Sequence, residues 1–176
     1  GFVASWLFGC EYSDGTAKDL LSLPTSRTKI LNAKFIVYTI WCLALVVSNL
    51  LIGLLIGIIL QLPAIEINIL FSLLSDYFIT TFLTILIGVP IAFFALSGKG
   101  YLAPLGFVAL TLVLAQIIAA IGYGSYFPWS IPGLYSGAGG AYKNLLDSYS
   151  YFILVLTGIA GYAVTVIYWN TADQSK

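Results

Sequence analysis

The chain has 176 residues, of which 60% are hydrophobic and 8% are charged, with seven basic and seven acidic side chains and no histidine. Soluble domains carry about 25% charged residues, so this composition excludes a water-facing surface over most of the chain. Without histidine, metal binding and acid–base chemistry at neutral pH lose their commonest residue, and we expect no metal site.

Four stretches without a charged side chain alternate with short polar segments. A membrane span needs about 20 apolar residues, and each of these stretches is long enough. We therefore predict an all-α, polytopic helical membrane protein in which residues 1–176 form one transmembrane domain. The predicted complete spans are 35–60, 67–96, 101–123 and 148–169. The apolar run 1–9 is too short to span, so we expect it to be the end of a truncated helix that follows at least one further span.

The basic residues predict the orientation, because cytoplasmic loops are enriched in Lys and Arg. Strict alternation of the spans places segments 11–34, 97–100 and 170–176 on one side. Six of the seven basic residues belong to that side, and Lys143 belongs to the other. We therefore expect the 11–34 segment and the C-terminus to be cytoplasmic, in a plasma membrane.

The segment 11–34 contains a predicted short helix. Ser13 or Asp14 can cap it, and Ala17, Leu20 and Leu21 lie on one of its sides. Pro24 ends it, because a residue before proline disfavours helix, and Ser26 begins the next helix. One interpretation is an interfacial helix with basic anchors, and the other is a docking element for a cytoplasmic partner.

Polar residues within predicted spans usually face the protein interior. They line either a substrate route or helix–helix contacts, and the sequence leaves both interpretations open. The candidates are Asn49, Gly53, Gly57, Asp76, Thr80, Thr84 and Gln116. Gly53 and Gly57 permit close helix approach, whereas Asp76 could instead lie at the outer interface. Pro90 removes a backbone donor and predicts a kink.

The connection 124–147 combines several glycines with apolar side chains at Phe127, Trp129 and Ile131. The glycines argue against one continuous helix, and the apolar residues argue against a solvated loop. We expect a short re-entrant or interfacial segment on the outer side.

Three stretches resemble a known family. The first is Glu-Tyr-x-x-Gly-Thr-x-x-x-Leu-Leu-x-Leu-Pro-x-Ser-Arg-x-x-Ile-x-x-Ala-Lys, from Glu11 to Lys34. The others are Tyr126–Tyr135, before the last span, and the turn Gly98–Gly106. Together they resemble the permease subunits of type 2 ATP-binding-cassette transporters, within the bacterial branch of lantibiotic and bacitracin resistance permeases. Such permeases have six spans, and the resemblance assigns this chain the end of the second and the third to sixth.

The resemblance implies that segment 11–34 holds a coupling helix that docks on a separate cytoplasmic ATPase, in a complex with a second permease subunit, either identical or different. The implied coupling residues are Glu11, Gly15, Thr16, Leu20, Leu21, Pro24, Ser26 and Arg27. The implied outer-gate residues are Phe127, Pro128, Trp129 and Pro132. No cofactor is expected in this chain, because the partner would bind ATP and magnesium.

The expected function is ATP-driven export of an amphipathic or hydrophobic substrate, by a subunit that is not itself an enzyme. Gly98-Lys99-Gly100 lacks the other residues of a phosphate-binding loop, so the energy must come from another chain. Two alternatives remain open. An ion-coupled secondary transporter would favour more intramembrane carboxylates than Asp76, and an intramembrane enzyme would need a nucleophile with a base or a metal cluster.

Overall fold

The computed structural model describes residues 1–16, 24–61, 67–137 and 145–171, and within these ranges every regular element is helical. The α-helices are α1 (Phe2–Ser13), α2 (Arg27–Ile59), α3 (Ile67–Gly88), α4 (Ile91–Ser97), α5 (Leu102–Ala120), α6 (Ile131–Tyr135) and α7 (Ser148–Thr171). A single 3₁₀ turn, Gly124–Tyr126, lies between α5 and α6. The predicted all-α class is confirmed.

Four helical regions are long and apolar enough to cross a membrane: α2, the continuous path Ile67–Ser97, α5 and α7. The helices that border the predicted coupling segment extend beyond the apolar runs. Helix α1 continues past residue 9 to Ser13, and α2 begins at Arg27, directly after its predicted start at Ser26 and ahead of the apolar span predicted from residue 35. Charged side chains limit the apolar runs, whereas the helices end where backbone hydrogen bonding ends. Only residues 14–26 therefore separate the two helices.

Pro90 divides the second predicted span into α3 and α4, which confirms the predicted kink. Proline has no N–H, so the helical hydrogen-bond ladder is interrupted at this position. The Val89 N–H bonds to the Leu86 carbonyl at 3.2 Å, in a tighter turn than an α-helix. Gly161 of α7 lies directly against Pro90, where a Cβ atom would come within 2.5 Å of the ring. The break is therefore packed against α7.

The main core lies at one end of the bundle, which we call the basic end because Arg27, Lys34 and Lys99 are found there. Side chains of α1, α2, α4 and α7 form this core. Its fully buried members include Phe8, Leu31, Leu96 and Trp169, each 0% exposed. Gly9 of α1 contacts the backbone of Gly100, so the turn between α4 and α5 also joins the basic end.

Helix α2 is buried only over its first third. Its buried residues are Leu31, Lys34 and Tyr38, and the apolar residues from Leu51 to Leu60 are largely exposed. The described part of the chain thus holds α2 firmly at the basic end and leaves its other end on the surface of the bundle. In a bilayer, that surface faces lipid or another subunit.

Candidate functional site

The predicted coupling segment leaves the bundle through a defined helix terminus. Gly15 follows the end of α1 with φ +73°, a left-handed conformation that favours glycine. The Thr16 N–H then bonds to the Glu11 carbonyl at 2.9 Å. This six-residue closure, with glycine after the C-cap, is the Schellman motif. Gly15 and Thr16 are both exposed.

The segment returns to the bundle next to the point where it left. Glu11, near the end of α1, accepts a hydrogen bond from the Lys34 ammonium of α2, with Nζ and Oε2 2.5 Å apart. The two side chains are 22% and 8% exposed. The Lys34 Nζ also lies 5.8 Å from the ring centroid of Phe8 and 5.9 Å from that of Trp169, within cation–π range. An ion pair therefore closes residues 11–34 into a loop.

The end of α7 is hydrogen-bonded to the start of α2, beside the Glu11–Lys34 ion pair. The Trp169 indole Nε1 donates to the Arg27 carbonyl at 2.8 Å. One residue further along each helix, the Asn170 amide nitrogen donates to the Thr28 hydroxyl at 3.3 Å. The end of α1 and the end of α7 are thus both bonded to the start of α2.

The other predicted coupling residues are distributed as follows. Ser26 is the N-cap residue of α2, as predicted for the start of this helix. Pro24 and the Arg27 side chain are exposed, and so available to a partner, whereas Glu11 is occupied by Lys34. Leu20, Leu21 and the predicted short helix lie outside the described residues.

A second feature is the gap between α2 and α3, which two tyrosines cross in opposite directions. The Tyr38 hydroxyl of α2 donates to the Ile85 carbonyl of α3 at 3.2 Å. The Tyr77 hydroxyl of α3 donates to the Val46 carbonyl of α2 at 2.8 Å. Each tyrosine thereby bonds to the backbone of the facing helix, and its side chain lies between the two helix backbones.

Cavities lie on both sides of these tyrosines. The larger, of about 570 Å³, lies between α2, α3 and α7, and none of its lining residues is charged. Its polar groups are limited to Tyr38, Thr39, Thr81 and Tyr162. The smaller, of about 360 Å³, lies between α1, α2 and α3. Tyr38, Thr81 and Ile85 line both cavities.

Two of the predicted path residues, Thr80 and Thr84, line the smaller cavity. Their hydroxyls donate to carbonyls of their own helix, at Asp76 and Thr80, at 2.8 and 2.7 Å. Both hydroxyls thus already donate to a carbonyl four residues earlier in their own helix, as is usual for threonine in helices. Asp76 accepts a hydrogen bond from the Tyr135 hydroxyl of α6 at 3.3 Å. It therefore lies level with the end of α6, at the end of the bundle opposite the basic end.

The remaining predicted path residues do not meet these cavities. Asn49 and Gly53 are exposed on α2, and a Cβ atom at Gly53 would have nothing within 4 Å. Within the described chain, no helix uses Gly53 for close approach. Gly57 is half-buried on the same helix.

Gln116 and the predicted gate residue Trp129 line a separate cavity of about 390 Å³ between α5 and α6. Trp129 stacks edge-on against Phe107 and lies beside Phe127, with ring centroids 5.6 Å apart in both pairs. Its buried indole Nε1 has no hydrogen-bond partner in the described structure. Pro128 is half-buried, and Pro132 is buried near the start of α6. The predicted gate residues thus form a partly buried layer beside α5.

Sequence reasoning missed the roles of Lys34, Tyr38, Tyr77 and Trp169. Lys34 was placed only within the basic segment 11–34, and no role in the site was assigned to Tyr38, Tyr77 or Trp169. One signal was available, since Glu11 ends one apolar run and Lys34 immediately precedes the next. Helix ends joined by a short connection lie close together, so opposite charges at those ends can pair.

The helices, their apolar surfaces and these cavities define a multi-pass helical membrane protein. A family model described as "ABC-2 family transporter protein" matches residues 1–118, so the chain belongs to the ABC-2 transporter family. It is thus a membrane permease subunit of an ABC transporter, a family that implies an ATPase partner.

A curated relative is the bacitracin transport permease protein BCRB of Bacillus licheniformis. It is 27% identical over 173 residues, covering 98% of this chain and 83% of the relative. No solved structure matches the chain.

Proposed function

We propose that this chain is the membrane subunit of an ATP-driven exporter, and that a separate cytoplasmic ATPase drives it through residues 14–26. Family membership supports this proposal, because the ABC-2 permease family implies an ATPase partner. The Schellman closure at Gly15 and the Glu11–Lys34 ion pair support it further, because they hold both ends of the segment at one point of the bundle. Exposed Thr16, Pro24 and Arg27 would contact the partner, together with Leu20 and Leu21.

The larger cavity is the observation that best supports the proposed cargo. A space of about 570 Å³ with apolar walls, a few hydroxyls and no charge suits an amphipathic or hydrophobic molecule better than an ion. Since the curated relative is named for bacitracin transport, a peptide antibiotic of this kind is the cargo class that we propose. The cavity would hold one apolar part of such a peptide and not the whole molecule.

The proposal includes an orientation and an assembly. The basic end faces the cytoplasm, in line with the bias of Lys and Arg toward that side. Two permease subunits, alike or different, form the transport unit with the ATPase, which binds ATP and magnesium. The layer of Phe127, Pro128, Trp129 and Pro132 would be the outer gate.

Transport in inverted membrane vesicles tests this function. The permease is co-expressed with its ABC ATPase partner, and accumulation of fluorescently labelled bacitracin is measured with and without ATP. The expected result is accumulation that requires ATP and is lost when the Walker lysine of the ATPase is replaced. Accumulation that depends on an ion gradient and ignores ATP would contradict the proposal and favour a secondary transporter.

A further inference from the structure

The Glu11–Lys34 ion pair joins the two ends of the segment to which the proposed function assigns the ATPase. Glu11 lies in the last turns of α1 and Lys34 near the start of α2. Residues 14–26 lie between these helices in the chain, and the described ends of the segment, residues 14–16 and 24–26, lead directly into them. A displacement of the segment therefore reaches the bundle through the backbone that this pair connects.

The surroundings of the pair make each charge depend on the other. The Lys34 side chain is 8% exposed, and the rings of Phe8 and Trp169 lie close to its ammonium group. Little water reaches the Lys34 ammonium, so water cannot stabilise this charge in place of the Glu11 carboxylate. A charge left here without its partner is therefore strongly disfavoured. The pair holds α1 to α2 more firmly than an exposed ion pair would.

The junction also reaches the larger cavity. Trp169 contacts Lys34 by its ring and bonds to the Arg27 carbonyl, so α7 is bonded to the start of α2. Two to three turns before Trp169 in α7, Gly158, Ile159 and Tyr162 form one wall of the cavity. Phe35, Tyr38 and Thr39 of α2 form another wall, beginning one residue after Lys34.

We propose that Glu11 and Lys34 are positioning residues that transmit displacement of residues 14–26 to α2 and α7, and so change the shape of the larger cavity. This inference rests on the proposed function and adds the residues that couple it. Without the ion pair, the segment can move and the ATPase can turn over while the cavity walls stay where they are. Neutralising either residue should therefore uncouple hydrolysis from transport.

The test uses the complete permease with its ATPase, reconstituted in lipid vesicles, and measures labelled bacitracin moved per ATP hydrolysed. The variants are Glu11→Gln, Lys34→Met and the charge exchange Glu11→Lys/Lys34→Glu. We expect the ratio to fall about tenfold in each single variant, and to recover to within about threefold of wild type in the exchange. The control Lys29→Met removes an exposed lysine from the same helix and should keep the wild-type ratio.

The ratio separates coupling from folding. A purely structural role lowers the amount of assembled complex and leaves bacitracin moved per ATP unchanged, a result that would overturn the inference. An exchange variant as uncoupled as the single variants would also overturn it. If Glu11→Gln or Lys34→Met does not assemble, recovery of a coupled complex in the exchange supports the inference and its failure overturns it. Wild-type complex without ATP-dependent transport would instead refute the proposed function, and this inference with it.

Discussion

The hydroxyl of Tyr38 donates to the carbonyl oxygen of Ile85, so a side chain of α2 occupies a backbone acceptor of α3 at the break before Pro90. In an uninterrupted helix the Val89 N–H would bond to Ile85. Here it bonds to Leu86, whose usual partner would be the N–H that proline lacks. Tyr38 thus compensates, from a neighbouring helix, for a donor that Pro90 removes.

A double-mutant cycle tests this compensation. Tyr38→Phe should lower the free energy of unfolding in detergent by about 1–2 kcal/mol, because the Ile85 carbonyl loses its partner. In a Pro90→Ala background the helix can close its own ladder, and the same change should cost less than half as much. Tyr123→Phe, at a tyrosine that is 63% exposed, is the matched control and should have little effect. Equal costs of Tyr38→Phe in both backgrounds would contradict this account.

Gly161 is predicted to be the least tolerant glycine of α7. A Cβ atom there would lie 2.5–2.8 Å from three ring atoms of Pro90, of which Cα also belongs to the backbone. Gly161→Ala should therefore destabilise the protein by about 1–3 kcal/mol, despite the better helix propensity of alanine. Thermal unfolding in detergent measures the change. Gly106→Ala in α5, where nothing lies within 4 Å, should be neutral or stabilising, and a similar loss at both sites would disprove the packing argument.

Trp169 should contribute to stability through its indole N–H as well as its ring. Trp169→Phe keeps an aromatic side chain near Lys34 but removes the hydrogen bond to the Arg27 carbonyl. The expected loss is about 1 kcal/mol in the free energy of unfolding. Trp41→Phe changes a tryptophan that is 51% exposed and serves as the control. The prediction fails if the two substitutions have the same effect.

Filling the larger cavity should block cargo without preventing assembly. Thr39 lies on its α2 wall, and Thr39→Trp would place a large ring where we propose that cargo binds. We expect bacitracin transport to fall about tenfold or more while the ATPase still co-purifies. Leu156→Trp, at an exposed residue of α7 outside the cavity, should transport normally. Undiminished transport by Thr39→Trp would show that cargo takes another route.

The all-α class and the four span-length regions of the described chain could be predicted from sequence, because length and apolarity are enough to recognise a membrane span. The kink at Pro90 follows equally directly from the missing N–H. The end of α1 could not be placed from the apolar run that stops at residue 9, whereas the start of α2 after Ser26 was predicted. Glu11 and Lys34 are both charged and both helical, and their mutual pairing lets them lie inside the bundle.

The candidate site was predicted less completely, for a physical reason. Thr80 and Thr84 stand out in an apolar sequence, and they do line a cavity. Tyr38 and Tyr77 do not stand out, because tyrosine is also common at membrane interfaces. Their importance depends on which carbonyl each hydroxyl reaches, and that is determined by the tertiary packing of α2 against α3.

Site-specific photocrosslinking tests most directly whether residues 14–26 are the ATPase contact. A photoreactive amino acid is placed at Thr16 or Thr25, both exposed beside the Glu11–Lys34 junction, in the complete permease co-expressed with its ATPase. The matched position is Tyr126, 62% exposed at the opposite end of the bundle. We predict crosslinks to the ATPase from residues 16 and 25 and none from residue 126. Crosslinking from residue 126, with none from 16 or 25, would contradict the account.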